Sequence, residues 1–364
     1  MRVLVVATWF PSKANPHSGI FNLRDVELLA RDHDVTVVHL ASVPLSADID
    51  DIEVLKNRTY KLHRIPFSAS APHRFGAAHK ALKPFLEQAD LLHTMAFSAL
   101  LPFVGRKVNL PWVHTEHWSG ITEPAPSLRG VLSQAVLKST MKRPDVFVVV
   151  SELLKSHIVK FRRGTTEVVG NFVSVPTKLP AHKAHPQTRL VAVGGIISRK
   201  GPDLAVEATK YLVDAGVDAT LTWVGEGGER AEIEKLASTL GISDRVSLVG
   251  NQPSEKIGSY LAEADLFILP TINETFGVSI AEAMAYGLPV VVGTLGGFRD
   301  FIHPRASRAV ANRTGAAFGA AALELLNDPA RLTRKEIATD AAAKFSEDLR
   351  QAQYVKVYEQ AITR

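Results

Sequence analysis

Two series of short apolar runs, each alternating with helical segments, constrain the fold of this chain more than any other feature. The first series lies near residues 3–7, 35–38, 91–93, 112–113 and 146–150. The second lies near residues 190–194, 219–225, 246–250, 266–269 and 289–292. Runs that are apolar at every position predict parallel strands, because helices cover both faces of such a sheet. The sequence therefore predicts an α/β protein with two doubly wound, Rossmann-like parallel sheets.

A polar, proline-rich stretch over residues 174–189 separates the two series and indicates a linker. We expect one domain over 1–175, a second over 188–345 and a C-terminal helix over 346–364, because 364 residues exceed the usual size of one core. Ligands bind at the carboxyl ends of parallel strands. Two such sheets facing each other would therefore form a ligand-binding cleft. The apolar spacing of the last helix predicts a buried face made of Leu349, Ala352, Val355, Tyr358 and Ala361.

The composition excludes several classes of protein. Hydrophobic residues make up 46% and charged residues 22%, which excludes a disordered chain. The chain has no cysteine, so disulfides and thiolate metal sites are excluded. No apolar stretch reaches the ~18 residues that would indicate a membrane-spanning helix, and the first apolar run is too short for a signal peptide. We expect a cytoplasmic location.

Positive charge is concentrated in one segment. The net charge is +5, and residues 56–86 carry seven Lys or Arg residues and no Asp or Glu. Within and just beyond this segment, residues 72–89 have the pattern of an amphipathic helix, with Lys80 and Lys83 opposite its apolar face. Two interpretations stay open: peripheral contact with the inner face of an anionic membrane, or a helix packed on its own domain with a solvated basic surface. We expect no nucleic-acid partner.

The segment from Glu274 to Val291 is the most informative for function. A strand that ends near Pro270 precedes a loop with Glu274 and Gly277, and a helix begins near Val278. The free N–H groups and the dipole of a helix start form an anion site, and Gly277 allows close approach to the backbone. A diphosphate fits there. Glu274 and Glu282 are unsuited to phosphate, but ionised carboxylates accept strong hydrogen bonds from sugar hydroxyls.

This segment resembles the donor-site motif of the retaining GT-B glycosyltransferases of glycosyltransferase family 4, also called group 1. In that motif two glutamates separated by seven residues precede Ala-Met and a Gly-x-Pro-Val turn, as Glu274, Glu282, Ala283-Met284 and residues 287–290 do here. The resemblance implies transfer of a hexose from a UDP- or GDP-sugar to a hydroxyl of a glycan, lipid-linked or small-molecule acceptor. It also implies that the last helix crosses back to the first domain.

The same resemblance assigns roles in the donor site. Glu274 would bind hydroxyls of the hexose and Glu282 the ribose. The backbone amides that would contact sugar and phosphate are those of Phe276, Gly277, Val278 and Ser279.

Further resemblances cover the loops that follow other strands. Lys200 matches a lysine that grips the donor diphosphate, whereas the position of the family arginine is Gly195 here. Arg199, beside Lys200, is expected to supply the missing charge. Asn251 follows a strand end at which relatives read the base through the backbone.

In the first domain, His117 matches a histidine at a strand end that points into the cleft, and we expect it to be catalytic together with Glu274 and Lys200. Gly19 lies in the loop after the first strand. Two interpretations of Gly19 stay open: contact with the donor phosphates and acceptor, or a plain helix start.

No His, Asp or Glu cluster has metal-ligand spacing along the sequence. We therefore expect transfer without a metal or cofactor, because lysine, arginine and a helix dipole can neutralise a leaving diphosphate. Two alternatives remain: a nucleotide-sugar epimerase of similar fold, and a non-catalytic two-lobed sugar-binding protein.

Overall fold

A computed structural model describes residues 1–118, 128–182 and 185–363, without the side chains of residues 128–134 and 254. The chain divides into two compact units, Met1–Asn171 with Arg350–Arg364 and Phe172–Leu349. Each unit contains one sheet, and every strand pair within both sheets is parallel. The predicted α/β fold with two Rossmann-like sheets is confirmed. Among the described residues, no helix is both long and apolar enough to cross a bilayer.

The first unit contains a seven-stranded sheet in the order β3-β2-β1-β4-β5-β6-β7. Its strands are β1 Arg2–Ala7, β2 Asp34–Ala41, β3 Lys61–Pro66, β4 Leu91–Met95, β5 Trp112–Glu116, β6 Val146–Val149 and β7 Thr165–Val168. Its helices before the linker are α1 Ile20–Leu29, α2 Phe75–Leu86, α3 Leu128–Met141 and α4 Glu152–Ile158. The central strands β4, β5 and β6 are buried at every position, as helices on both faces require.

The second unit contains a six-stranded sheet in the order β10-β9-β8-β11-β12-β13. Its strands are β8 Thr188–Val193, β9 Ala219–Val224, β10 Val246–Leu248, β11 Leu266–Leu269, β12 Val290–Val292 and β13 Ser307–Ala309. The later helices are α5 Pro202–Asp214, α6 Arg230–Thr239, α7 Ser254–Glu263, α8 Val278–Ala285, α9 Gly315–Asn327, α10 Arg334–Phe345 and α11 Glu347–Ile362. Strands β11 and β12 are buried throughout, as their unbroken apolar sequences predict.

The strand order reverses once in each sheet, between β1 and β4 and between β8 and β11. Ligands of open α/β sheets bind beside such a point, outside the carboxyl ends of the strands. Lys200 lies in the loop after β8 and Glu274 in the loop after β11. The topology therefore brings these two loops together at the switch point of the second sheet.

The buried face of α11 differs from the predicted one. Leu349 and Val355 are exposed, and Ala352 is exposed as well, so the predicted face was wrong in part. Arg350 and Tyr354 are buried instead, because Asp25 of α1 satisfies both: Arg350 Nη2 lies 3.2 Å from Asp25 Oδ2, and the Tyr354 hydroxyl donates to that oxygen at 2.7 Å. A buried ion pair thus fixes the face that an apolar pattern could not identify.

Candidate active site

The loops after β8 and β11 bring Lys200 and Glu274 into direct contact. Lys200 Nζ lies 2.5 Å from Glu274 Oε1, and both side chains are mostly buried. Thr271 Oγ1 donates to the same carboxylate oxygen at 2.9 Å, and Arg199 Nη1 lies 3.8 Å from it. The two cations predicted to grip a diphosphate and the carboxylate predicted to bind a hexose therefore form one cluster.

Backbone hydrogen bonds hold these two loops against each other. The Arg199 carbonyl accepts from the Ile272 N–H at 2.8 Å and from Thr271 Oγ1 at 3.2 Å. Arg199 Nη1 donates to the Asn273 carbonyl at 3.0 Å. Gly201 has a φ of +70°, and a Cβ there would lie only 2.5 Å from the Pro270 carbonyl oxygen. The close approach of the two loops therefore depends on a glycine directly after Lys200.

The loop after β12 supports Glu274 from its backbone. The Glu274 N–H donates to the Leu295 carbonyl at 3.3 Å, and the Glu274 carbonyl accepts from the Gly297 N–H at 3.0 Å. A Cβ on Gly296 would lie 2.9 Å from the Glu274 carbonyl oxygen. Loops from three adjacent strands thus hold the Glu274 backbone in place.

Helix α8 begins directly after this cluster. Gly277 precedes it with a φ of +96°, and its carbonyl accepts from the N–H groups of Ile280 and Ala281 at 3.0 Å each. The earlier N–H groups, including those of Val278 and Ser279, have no partner within a helix and carry its positive dipole end. The Phe276 ring is buried against Phe301, with ring centroids 5.1 Å apart. Phe276 therefore anchors the loop through its side chain, and the predicted role of its amide stays a prediction.

Glu282 and Asn251 lie near the cluster in sequence or topology. Glu282 is half-buried in the second turn of α8; burial, followed by the charge of Glu282, raises the pKa of the Tyr286 hydroxyl. Asn251 is exposed directly after Gly250, whose carbonyl accepts from the Gly225 N–H at 2.9 Å. Contact with ribose and base by these two residues stays a prediction.

Gly195 occupies a position with room for a side chain. A Cβ built there would have the Glu226 carbonyl oxygen as its nearest atom, at an ordinary contact distance of 3.6 Å. Packing therefore does not require glycine at the position of the family arginine. Arg199 is about half exposed and approaches the same carboxylate as Lys200, and its contact with a diphosphate stays a prediction.

His117 lies in the first unit, directly after β5. Its ring is buried and packs against Phe21, with centroids 4.3 Å apart. Its Nε2 is buried and has no hydrogen-bond partner among the residues that the structure describes. Burial holds the pKa of the imidazole well below its ordinary 6.5, and the charge of Arg350 lowers it further. Burial therefore favours the neutral form of the His117 imidazole.

Glu116 positions the backbone on either side of His117. Its Oε1 accepts from the His117 N–H at 2.9 Å and from the Trp118 N–H at 2.8 Å. Its Oε2 lies 3.4 Å from His114 Nε2, and both side chains are fully buried. Sequence reasoning missed this role because a carboxylate that caps its own turn leaves no distinctive spacing.

Two family models match nearly the whole chain. The model described as glycosyl transferases group 1 matches residues 178–344, and the model described as glycosyltransferase family 4 matches residues 26–175. This chain belongs to the group 1 glycosyltransferases. The family resemblance inferred from the Glu274–Glu282 segment is therefore confirmed.

Curated relatives of this group 1 glycosyltransferase match only in part. A 2-deoxystreptamine glucosyltransferase from Streptomyces kanamyceticus is 36% identical over 110 residues, which is 30% of this chain and 28% of that protein. A D-inositol 3-phosphate glycosyltransferase from Corynebacterium aurimucosum is 31% identical over 185 residues, which is 48% of this chain and 44% of the relative. The matches thus span less than two thirds of these relatives.

Solved structures resemble the group 1 glycosyltransferase along its full length. The sucrose-phosphate synthase of Thermosynechococcus elongatus matches with a TM-score of 0.80 at 20% identity, covering all of both chains. Anabaena HepE, solved in complex with UDP, matches with a TM-score of 0.79 at 17% identity over 99% of this chain and 100% of its own. At such identities the likeness concerns the fold, and it supports the GT-B class.

An aromatic cluster surrounds the His117 region of this glycosyltransferase. The rings of Phe97 and Trp118 stack with centroids 4.3 Å apart, and Trp9 meets Phe21 edge-on at 6.1 Å. All four side chains are half-buried. Sequence reasoning missed them as a group, although Trp9, Phe97 and Trp118 each follow a strand end by one or two residues.

Gly19 has a steric role in the first unit. Its φ is +66°, and a Cβ there would lie 2.2 Å from the Trp9 carbonyl oxygen. Any side chain would therefore push α1 away from the loop after β1. This supports the helix-start interpretation of Gly19, and a ligand contact stays a prediction.

The basic segment of this glycosyltransferase, residues 56–86, contains β3 and α2. Most of its basic side chains pair with acids from outside the segment: Lys56 with Glu53, Arg58 and Arg64 with Asp50, Lys61 with Asp34, and Lys83 with Glu87. Leu82 and Ala78 of α2 are buried in the first unit. These observations favour a helix packed on its own domain over an apolar face free for lipid.

Three side chains of metal-binding type lie close together, although their spacing in the sequence did not indicate this. Atoms of His182, His185 and Asp265 lie within 4.8 Å of one another. Spacing along the sequence did not indicate this cluster because Asp265 lies about eighty residues beyond the histidines, so that only the pairing of β8 with β11 joins them. Transfer without a metal stays a prediction.

Proposed function

We propose that this glycosyltransferase transfers a hexose from a UDP- or GDP-sugar to an acceptor hydroxyl with retention of configuration. The contact between Lys200 and Glu274 at the start of α8, beside the switch point of the second sheet, carries this proposal. The HepE structure solved with UDP and glucose, which shares the fold, supports a nucleotide-sugar donor. Retention of configuration follows from the family resemblance.

Donor binding exchanges the partners of the ion pair. The diphosphate pairs with Lys200 and Arg199, which lose their contact with Glu274. A hexose hydroxyl then donates a hydrogen bond to the Glu274 carboxylate. Because each charge gains a ligand partner as it loses a protein partner, neither is left unpaired. This matters because removing one partner of a buried pair costs about 3–5 kcal/mol.

The chemistry then needs a stabilised leaving group. As the bond between the anomeric carbon and the diphosphate breaks, Lys200, Arg199 and the amides at the start of α8 neutralise the departing charge. The acceptor oxygen forms the new bond on the same face, and its proton passes to the leaving phosphate oxygen. His117 Nε2 forms a hydrogen bond with the transferred sugar. These steps need neither a metal ion nor a cofactor.

The decisive experiment is a Glu274→Gln substitution. It keeps the shape of the side chain but removes the charge that accepts the hydroxyl, so transfer should fall about 100-fold or more. The circular dichroism spectrum should be unchanged. Glu324→Gln is the matched control, because Glu324 also pairs with an arginine, Arg308, at 2.9 Å. Full transfer activity of Glu274→Gln would refute the proposal.

Two assays separate this function from its alternatives. A screen of UDP- and GDP-sugars by thermal shift identifies the donor, because a ligand at 100 times its Kd stabilises the fold by about 2.7 kcal/mol. Sugar analysis after incubation with that donor alone then detects an epimerase, which converts it without an acceptor. Donor binding without turnover on any acceptor would indicate a sugar-binding protein.

Membrane contact through residues 56–86 at the cytoplasmic face is a separate part of the proposal. Since the apolar face of α2 is packed, charge would have to supply the binding, and exposed Lys80 is the relevant side chain. Co-sedimentation with phosphatidylglycerol vesicles tests it. We expect Lys80→Glu to weaken binding, and equal sedimentation of wild type and variant would contradict a role for this charge.

A further inference from the structure

A second group of side chains that could bind a ligand lies at the amino ends of the strands of the second sheet. His182 and His185 precede β8, and Asp265 directly precedes β11. Lys200 and Glu274 follow the carboxyl ends of the same two strands. The strands β8 and β11 are parallel neighbours, so their amino ends bring His182, His185 and Asp265 together. This group is therefore separated from the Lys200–Glu274 pair by the length of the sheet.

Both imidazoles turn the same nitrogen toward the carboxylate. His182 Nε2 lies 2.9 Å from Asp265 Oδ1, and His185 Nε2 lies 3.8 Å from Asp265 Oδ2. Each Nδ1 faces a backbone carbonyl, that of Ala262 at 3.4 Å for His182 and that of Gln187 for His185, and His185 Nε2 also lies 3.3 Å from the Glu263 carbonyl oxygen. All three side chains are largely shielded from solvent.

The two neutral imidazoles have too few N–H groups for the acceptors around them. A neutral imidazole has one N–H and one lone pair. Each ring has an acceptor beside both of its nitrogens, so one lone pair per ring faces an acceptor whichever nitrogen carries the proton. With both protons on Nδ1, the two Nε2 lone pairs face the Asp265 carboxylate, which only accepts hydrogen bonds. Three acceptors converge, and a cation between them resolves the conflict. Metal-binding histidines show this same arrangement, in which the second nitrogen donates to a carbonyl or carboxylate.

We propose that His182, His185 and Asp265 bind one Zn²⁺ ion through two Nε2 atoms and a carboxylate oxygen, with water as the fourth ligand. Two imidazoles and a carboxylate suit zinc, whereas Mg²⁺ and Ca²⁺ prefer oxygen ligands alone. In a tetrahedral site with bonds of about 2 Å the ligand atoms lie roughly 3.3 Å apart. The 2.9 Å separation of His182 and Asp265 must therefore widen and the 3.8 Å separation of His185 and Asp265 must shorten, both within reach of side-chain rotation.

The surroundings of Asp265 are already arranged for this role. Its Oδ2 accepts from the Arg189 N–H at 2.8 Å, which fixes the carboxylate. Arg334 donates to the carbonyls of Ala264 and Ala262, so its guanidinium forms hydrogen bonds with backbone oxygens and not with the histidine nitrogens. Through its ligands, the ion links the segment before β8 to the start of β11. Its role is structural, because the donor cluster lies at the opposite end of these strands.

The test measures zinc content and affinity in the full-length protein. After removal of metal with a chelator and dialysis against Zn²⁺, the wild type should retain one zinc per chain by atomic emission. The double variant His182→Ala/His185→Ala should retain none, with an unchanged circular dichroism spectrum. His157→Ala, which removes a half-buried histidine of α4, is the matched control and should keep the ion. A wild type without stoichiometric zinc, or a double variant that keeps it, would overturn the proposal.

A second measurement separates this site from the proposed transfer. Zinc should raise the thermal midpoint of the wild type and leave that of the double variant unchanged, and an equal concentration of Mg²⁺ should have no effect. Donor-induced thermal shifts should be the same in both proteins. Equal stabilisation by Mg²⁺ would contradict a zinc site. Loss of donor binding on zinc removal, without unfolding, would contradict a purely structural role.

Discussion

The two units have the same kind of sheet but bury different side chains. Among the described residues, the buried polar or charged side chains of the second unit are Thr209, Thr271 and Ser307, none of which is charged. The first unit buries the Asp25–Arg350 pair and four histidines: His39, His93, His114 and His117. Buried polar groups must be satisfied inside the protein. The first unit therefore depends on a network of fully buried charged and histidine side chains, whereas the described residues of the second unit include none of these.

The two sheets also differ in the side chains that lie at the carboxyl ends of their strands. The second sheet presents the charged pair Lys200–Glu274, loops closely packed through glycines and the start of α8. The first presents half-buried aromatic rings and the neutral imidazole of His117. Charges and free N–H groups suit a diphosphate, whereas rings and an unpartnered nitrogen suit an uncharged group. One topology thus supports two chemistries, because the loops rather than the strands supply the ligand contacts.

The largest expected effect is on the stability of the first unit. Arg350→Met should lower the free energy of unfolding by about 3–5 kcal/mol, because it leaves the Asp25 carboxylate buried without its cation. Urea unfolding followed by circular dichroism measures this. Glu324→Gln, which breaks an exposed pair in the second unit, should change stability by about 0–1 kcal/mol. Equal losses in the two variants would contradict the contrast between the units.

The next effect concerns activity rather than stability. Lys200→Ala should lower kcat about 100- to 1,000-fold, because the leaving diphosphate loses its nearest cation. Steady-state kinetics with the identified donor measure this, and circular dichroism checks that the variant is folded. A variant with normal kcat but weakened donor binding would restrict Lys200 to ground-state binding.

Acid should destabilise the first unit before the second. Burial lowers the pKa of His39 to about 4 and that of His93 to about 3, with the charge of Arg64 adding to the first and that of His114 to the second. Between these values and about 6.5 the unfolded chain binds more protons than the native one, so stability falls as pH falls, by up to about 1.4 kcal/mol per histidine and pH unit. Hydrogen exchange at pH 5 and pH 7 should show earlier loss of protection in residues 1–171. Simultaneous loss in both units would contradict this prediction.

The smallest effect is a gain of donor affinity. Gly195→Arg places a guanidinium where the family carries arginine, and the contacts of the added Cβ are ordinary. An exposed charge contact contributes about 0.2–1 kcal/mol, so the Kd for the donor should fall up to about fivefold. Gly195→Ala is the control for the Cβ alone, and isothermal titration compares the two. An arginine variant that binds no better than the alanine variant would show that Arg199 already supplies the charge.

Sequence patterns predicted the central strands well and the edge strands poorly. β11 and β12 are unbroken apolar runs and were predicted, because helices must cover both of their faces. β3, β7 and β13 have the sequences KLHRIP, TTEV and SRA and lie at sheet edges. One side of an edge strand faces solvent, so polar residues are tolerated and the apolar pattern disappears.

By itself, the sequence determined the two-sheet fold and the family, because both depend on local spacing: apolar runs, a glycine before α8 and two glutamates with seven residues between them. Only the tertiary structure decided which distant side chains meet. Lys200 contacts Glu274, and His182 contacts Asp265, because β11 pairs with β8 although β9 and β10 intervene in the chain. Strand order in a sheet depends on the packing of the whole unit, and no local pattern records it.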